Sequence, residues 1–238
     1  MSSSTTATLQ VCRECGAGAP LDAHFCAQCE KILPLGRHAD YFAFLGLPRK
    51  LQIDAADLER RFRDLSRQFH PDYFYNAAAA ERRASLERSS YLNDAYRTLK
   101  QPASRIDYLL QLEGFGAKGP AGTSERDAFS RASVPPALLE EVFALNEELD
   151  EIREARAGGA PAAEWKPRLE RARVPIEAKR ADHESDLRDL SARWDAAVER
   201  GAPDAERRRI LDALRERVLE RNYISNLLAT IQRELDAA

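Results

Sequence analysis

Residues 67–74 read Arg-Gln-Phe-His-Pro-Asp-Tyr-Phe, and this stretch decides the fold of the first half of the chain. The segment before it forms a predicted helix over residues 54–69, with Asp54 as its N-cap. Pro71 ends that helix, because its ring fixes φ and its nitrogen has no hydrogen to donate. The helical pattern restarts a few residues later and runs to Lys100. Two long helices joined by so short a connection lie antiparallel, which places His70-Pro71-Asp72 in the loop of a helical hairpin.

Two sets of side chains recur at helical spacing before the loop. The apolar set falls within one stripe at about 100° per residue and predicts the buried face, formed by Leu58, Phe62, Leu65 and Phe69. The basic set lies on the opposite side and predicts an exposed cationic face, formed by Arg60, Arg63 and Arg67. A solvated face without a partner is the alternative interpretation of these arginines.

The second half of the chain is predicted to be a three-helix bundle over residues 135–238. Residues 116–134 are rich in Gly, Ala, Ser and Pro and are predicted to be a linker. Two Gly- and Pro-containing breaks, at residues 158–161 and 201–203, separate the three helical stretches. The first stretch has apolar residues at alternating spacings of four and three, which predicts a buried seam of Leu138, Val142, Leu145, Leu149 and Ile152. In the last stretch the predicted buried side holds Leu211, Leu214 and Val218.

Some large apolar residues of the bundle do not fit these buried faces. Leu139 and Phe143 are rotated by roughly 100 to 140° from the seam, and Glu147 lies next along the same face. Tyr223 lies roughly 150° from the buried side of the last helix. We therefore expect these four side chains at the surface. Single exposed apolar residues are common on proteins, so ordinary scatter is the alternative.

All four cysteines lie near the start of the chain, in a C-x2-C-x10-C-x2-C pattern. Two such pairs present four thiolates in the arrangement that suits structural zinc, so residues 11–37 are predicted to be a zinc knuckle with Cys12, Cys15, Cys26 and Cys29 as ligands. His24 is close enough to replace one ligand, although four cysteines already satisfy the metal. Two disulfides or a redox-active pair are the alternatives. The knuckle could dock a partner, bind RNA or cap the next domain, and the sequence does not decide among these roles.

The overall composition favours an all-α protein. Ala, Leu, Glu and Arg dominate, and β-branched residues never alternate over the length of a strand. The chain carries 36 Lys and Arg against 39 Asp and Glu, with a net charge of -3 and interleaved signs, so we expect no nucleic-acid partner. No stretch approaches the roughly 20 apolar residues that cross a bilayer, so we expect no membrane partner. Residues 1–10 lack the features of a secretory or mitochondrial leader and are predicted to be a disordered tail.

The order of helices and several local stretches resemble the J-domain family, in particular the HscB-type iron-sulfur cluster co-chaperones. Besides residues 67–74, the resemblance rests on residues 40–48 (Asp-Tyr-Phe-Ala-Phe-Leu-Gly-Leu-Pro), 92–99 (Leu-Asn-Asp-Ala-Tyr-Arg-Thr-Leu) and 108–115 (Tyr-Leu-Leu-Gln-Leu-Glu-Gly-Phe). The resemblance implies a J-domain over residues 38–115. It also implies a co-chaperone rather than an enzyme. The alternatives are a J-domain protein with a different client and a zinc-knuckle helical scaffold without a chaperone role.

The resemblance further implies two protein partners. His70, Pro71 and Asp72, with the arginine face before them, would contact a DnaK- or HscA-type chaperone and stimulate its ATPase. Leu139, Phe143, Glu147 and Tyr223 would bind an IscU-type cluster scaffold protein. The sequence departs from the family pattern at Glu140 and Ala144, where an apolar and an acidic residue are expected.

The resemblance leaves two expectations for the location. The tetracysteine extension resembles that of animal members, which would place the protein in the mitochondrion. The Ala- and Arg-rich composition and the absence of a transit sequence instead favour a bacterial cytoplasm. We expect the bacterial cytoplasm, with the mitochondrion as the alternative.

Overall fold

The computed structural model describes residues 9–20, 22–35, 40–115 and 138–236. These residues fall into two units, one that ends at Leu112 and one that starts at Glu113. The predicted linker and residues 135–137 of the predicted bundle lie outside the described residues. None of the described helices combines the length and the apolar character that are needed to cross a membrane.

The cysteine-containing segment begins with a two-stranded antiparallel sheet. Strand β1 (Leu9–Val11) pairs with strand β2 (Gly18–Pro20), and Gln10 lies opposite Ala19. Leu9 and Gln10 therefore belong to a strand, although the sequence predicted them as part of the tail. The buried apolar cluster here is small and is formed by Cys12, Ala19, Cys26 and Leu33. So small an apolar cluster provides little folding energy of its own, because burial stabilises in proportion to the apolar area removed from water.

The rest of the first unit is the predicted helical hairpin with a short helix on either side. The α-helices are α1 (Tyr41–Phe44), α2 (Ala55–Phe69), α3 (Ala79–Lys100) and α4 (Pro102–Leu112). A 3₁₀-helix (Pro71–Phe74) follows α2. The predicted N-cap is correct, because the Asp54 carboxylate accepts a hydrogen bond from the Ala56 amide at 2.9 Å. Asp40 caps α1 in the same way, through the Ala43 amide at 2.8 Å.

The apolar stripe of α2 faces α3, as its spacing predicts. Leu58 and Phe69 are fully buried, whereas Phe62 and Leu65 are half-buried. Phe62 stacks on Tyr96 of α3, with 4.2 Å between the ring centroids. This packing fixes the antiparallel hairpin and leaves the loop between α2 and α3 at its end.

The described part of the second unit holds three helices, α5 (Leu139–Ala157), α6 (Ala162–Glu199) and α7 (Asp204–Asp236). Helix α6 continues through both of its prolines, Pro167 and Pro175. The predicted seam is correct, because each of its residues is at most 7% exposed: Leu138, Val142, Leu145, Leu149 and Ile152. The predicted buried side of the last helix is also correct for Leu211, Leu214 and Val218.

Helix α5 covers only part of the long hairpin formed by α6 and α7. The cluster that includes its seam extends to Trp165, Leu169 and Ile176 at the start of α6, and to Ile224 and Ile231 near the end of α7. Nearer the turn between α6 and α7, Trp194 and Leu214 are buried between those two helices. Helix α5 therefore lies at the end of the bundle that holds the start of α6 and the end of α7.

Candidate functional site

The four cysteines come together at one point in the first unit. Their sulfur atoms all lie within 4.8 Å of one another, and all four are free thiols. The Sγ atoms of Cys12 and Cys29 are 3.6 Å apart, as are those of Cys15 and Cys26. A tetrahedral site with Zn–S bonds of about 2.3 Å has sulfur–sulfur edges of about 3.8 Å, so the four thiols fit a single ion of this kind.

The two Cys-x-x-Cys pairs have the same backbone turn. The Cys12 carbonyl accepts from the Gly16 amide and the Cys26 carbonyl accepts from the Glu30 amide, each at 2.9 Å. Gly16 and Glu30 have φ angles of 75° and 59°, so both turns close through the left-handed region. Hydrogen bonds from the backbone amides of Cys29 and Gln28 in the second turn lower the pKa of the Cys26 thiol to about 6. This favours the thiolate, which is the form that binds metals.

The His-Pro-Asp loop is an exposed turn with a defined shape. His70 is the C-cap of α2, and its carbonyl accepts a hydrogen bond from the Tyr73 amide at 3.0 Å. Its Nδ1 atom accepts from the amide of Asp72 at 3.3 Å. The side chains of His70 and Asp72 are 52% and 87% exposed. Tyr73 and Tyr75 are also largely exposed. A fixed turn that presents an imidazole, a carboxylate and aromatic rings to solvent suits recognition by another protein, since little ordering is needed on binding.

The three predicted arginines lie on the exposed face of α2. Their side chains are 61%, 64% and 74% exposed for Arg60, Arg63 and Arg67. They are not isolated cations: Arg63 Nε donates to Glu59 Oε1 at 3.0 Å, and Asp64 lies 3.8 Å from Arg60 and 3.9 Å from Arg67. Such exposed pairs contribute only about 0 to 1 kcal/mol each. The guanidinium groups can therefore exchange these carboxylates for those of a partner at little cost.

The apolar surface on the bundle is partly as predicted. Phe143 is 70% exposed, Leu139 is 38% exposed, and Glu147 is exposed beside them on α5. Tyr223 differs from the prediction, because it is half-buried and packs against the core cluster that holds the α5 seam. Leu219, one turn before Tyr223 on α7, is 44% exposed. We call the surface of Leu139, Phe143, Glu147, Leu219 and Tyr223 the apolar patch.

Two residues of interest, Leu219 and Arg88, were not predicted from the sequence, although the helical spacing indicates each of them. Leu219 precedes Tyr223 by four residues, so the two side chains share a helix face, and the same wheel that located Tyr223 could have included it. Arg88 occupies a position on the buried stripe of α3, between Ser85 and Leu92, and is 2% exposed. A charged residue at helical spacing within an apolar stripe indicates either a buried interaction or an error in the assignment.

Comparison with known proteins agrees with these features. Residues 40–108 match the DnaJ domain, which covers the four helices of the first unit up to Tyr108 in α4. The human co-chaperone protein HscB has a solved structure that is similar to this chain, with a TM-score of 0.61 and 25% sequence identity over 94% of this chain and 98% of that chain. The chaperone HscB from Vibrio cholerae is similar with a TM-score of 0.50 and 25% identity, over 84% of this chain and 99% of that chain.

These similarities extend across both units and are not confined to the hairpin. The chain therefore contains a J-domain and has the HscB-type fold, which is mainly helical and includes the short sheet of β1 and β2. The tetracysteine cluster fits an N-terminal extension that precedes the J-domain.

Proposed function

We propose, on the premise that the chain is an HscB-type J-domain protein, that it is an adaptor between a chaperone and an iron-sulfur scaffold. In this proposal the His70-Pro71-Asp72 loop stimulates ATP hydrolysis by a DnaK- or HscA-type chaperone. The bundle delivers an IscU-type scaffold protein for cluster transfer. The chain itself hydrolyses nothing. The observation that supports the proposal most strongly is an intact and exposed His-Pro-Asp turn at the end of α2, inside a matched DnaJ domain.

The chaperone contact divides into two parts with different roles. The arginine face of α2 is exposed, and its positive charges act over a long range. It would therefore steer the encounter with an acidic surface and accelerate association. The turn is short and held by hydrogen bonds from the amides of Asp72 and Tyr73 to the side chain and the carbonyl of His70, so it would supply the specific contact. His70 then acts as a contact residue on the chaperone, and the chemistry of ATP hydrolysis remains with the chaperone.

Replacement of His70 by Gln tests the chaperone role. The native chain is expected to raise the ATPase rate of a purified DnaK-type chaperone, and His70→Gln is expected to abolish the stimulation while α2 and α3 stay folded. Ser90→Ala, on the exposed face of α3, serves as the matched control and should stimulate normally. Equal stimulation by the native chain and by His70→Gln would disprove the J-domain role.

The client contact would use the apolar patch on the bundle. Leu139 and Phe143 are exposed hydrophobic residues next to Glu147, an arrangement typical of protein contact sites with apolar centres and polar rims. Joining the scaffold-binding bundle and the J-domain in one chain raises the effective concentration of client at the chaperone. A J-domain protein with a different client is the alternative, and co-purification of a cluster scaffold from cell extract distinguishes the two.

The metal in the knuckle is proposed to be zinc. Four thiols at tetrahedral spacing suit Zn²⁺, and a reducing cytoplasm would keep them free to bind it. We propose a bacterial cytoplasm as the location, because one similar structure comes from the bacterium Vibrio cholerae, and the mitochondrion is the alternative, because the human HscB is also similar. Zinc would support the fold of the knuckle, because metal binding provides folding free energy that its small apolar cluster lacks. Metal analysis of protein purified under reducing conditions should find about one zinc ion per chain. Its absence would favour a redox role for the cysteines.

A further inference from the structure

Arg88 on α3 is a buried cation that is bound by the knuckle. Its Nε donates to the Leu33 carbonyl at 2.7 Å, and its Nη2 donates to the carbonyls of Ala23 and Pro34 at 3.2 Å each. Its Nη1 lies 2.7 Å from Nδ1 of His24. A guanidinium nitrogen can only donate, so Nδ1 of His24 accepts this hydrogen bond. All four partners belong to the cysteine-containing segment.

The same segment covers the last residue of α2. The His24 ring contacts the ring of Phe69 edge to face at a centroid distance of 5.0 Å, and Phe25 stacks on it at 6.0 Å. The Arg88 guanidinium lies 5.6 Å from the centroid of the same ring. As a result Phe69 is 0% exposed. The knuckle therefore covers the last residue of α2, which immediately precedes His70.

The backbone of Phe69 is also held in place. In a continuous helix its carbonyl would accept from the amide of Tyr73, but that amide bonds to the carbonyl of His70. The Phe69 carbonyl instead accepts from the hydroxyls of Ser85 at 2.7 Å and Ser89 at 2.9 Å. Both serines flank Arg88 on the same face of α3. One face of α3 thus fixes the carbonyl of Phe69, and the knuckle bound to that face fixes its ring.

We propose that Arg88 is a positioning residue for the His-Pro-Asp loop and that the knuckle is the metal-supported clamp through which it acts. The knuckle holds its shape only with its four cysteines gathered around a metal, and with that shape it presents the carbonyls and rings that bind Arg88 and Phe69. Loss of the metal then releases Phe69 and frees the turn that follows. The inference rests on the proposed function, because it assigns the loop to a chaperone and the cysteines to a metal.

Hydrogen exchange on the full-length protein tests the clamp without any chaperone. For the native chain, removal of the metal with a chelator should raise the exchange rate of the 67–75 amides about tenfold or more. The reason is that the turn opens locally more often once the knuckle no longer holds Phe69. Arg88→Ala should raise the exchange rate similarly with metal still bound. Arg83→Ala, an exposed change on the same helix, is the control and should leave exchange unchanged. Unchanged exchange of residues 67–75 after both metal removal and Arg88→Ala would overturn the inference.

A milder variant covers the case in which Arg88→Ala does not fold. Lys31 of the knuckle is 3.1 Å from Glu81 of α3, and its side chain is 47% exposed, so Lys31→Ala removes a docking contact without opening a cavity. We expect exchange of residues 67–75 to rise about two- to threefold in this variant. If Arg88→Ala does not fold, the inference is overturned when exchange of residues 67–75 is unchanged both in Lys31→Ala and after metal removal.

ATPase stimulation separates positioning from simple binding. If Arg88 positions the loop, Arg88→Ala should lower the maximal stimulation several-fold, and the half-maximal concentration should stay within about twofold because the α2 arginines still guide association. A change in the half-maximal concentration alone would contradict positioning. If even the native chain fails to stimulate any DnaK-type ATPase, the proposed function is wrong, while the exchange experiment still reports whether the knuckle holds the loop.

Discussion

Replacing Leu139 and Phe143 together by Ala should remove scaffold binding and leave the bundle folded. Phe143 is 70% exposed and Leu139 is 38% exposed, so neither contributes much to the core. An aromatic side chain buries about 150 to 250 Å² when fully covered, so the exposed part of Phe143 offers about 100 to 170 Å² to a partner. At about 25 cal/mol per Å² this area provides at most about 2.5 to 4 kcal/mol of binding free energy.

The expected loss is smaller than that ceiling, because alanine keeps its Cβ atom and a partner rarely covers a side chain completely. We expect the double variant to lose about 2 to 3 kcal/mol, equivalent to a Kd about 30- to 150-fold weaker. Titration calorimetry with a purified IscU-type scaffold measures this change. Thermal unfolding should show a stability within about 0.5 kcal/mol of the native chain, as expected for exposed positions.

A matched control distinguishes the apolar patch from a general loss of surface hydrophobicity. Val174 on α6 is 63% exposed and lies outside the patch, so Val174→Ala should bind the scaffold like the native chain. Tyr223→Ala is a poorer probe, because Tyr223 packs against the bundle core and its loss would also destabilise the fold. Scaffold affinity of the Leu139 and Phe143 double variant within twofold of the native value would refute the assignment of the patch.

Two further predictions concern stability. Asp54→Ala removes the side chain that caps α2 and should lower the free energy of unfolding by about 1 kcal/mol; a cost below about 0.3 kcal/mol in urea unfolding would show that the cap is unimportant. His183 is buried 3.3 Å from the carboxylate of Glu220 without hydrogen-bond geometry, and burial lowers its pKa despite that carboxylate. His183 therefore takes up a proton more readily in the unfolded chain than in the folded one. The stability that goes with a neutral His183 is fully present above about pH 6.5 and is lost as the pH falls, by at most about 1.4 kcal/mol per pH unit. Melting temperatures between pH 7.5 and 5 should fall less in His183→Leu than in the native chain, and an identical pH dependence would contradict the prediction.

The sequence predicted the helices that depend on local patterns. Helix α2 begins after Asp54 and ends at Phe69 as expected, because a capping carboxylate and a proline set its limits within one segment. The seam of α5 is buried as its spacing predicts, since 3.6 residues per turn place those side chains on one face whatever they pack against. The cysteine spacing likewise predicted the gathered thiols, because two short turns are enough to converge four sulfurs.

Other features depend on residues far apart in the chain, and only the tertiary structure decided them. Helical periodicity gives the direction of a side chain but not the depth to which a neighbouring helix covers it. For this reason Tyr223 was expected at the surface and is half-buried against the core that α5 completes. The role of the knuckle was undecided for the same reason. Its docking on the end of α2 depends on Arg88, whose partners Ala23 and Leu33 lie 65 and 55 residues away in sequence. The sequence by itself determined the His-Pro-Asp turn, and the fold determined what holds that turn in place.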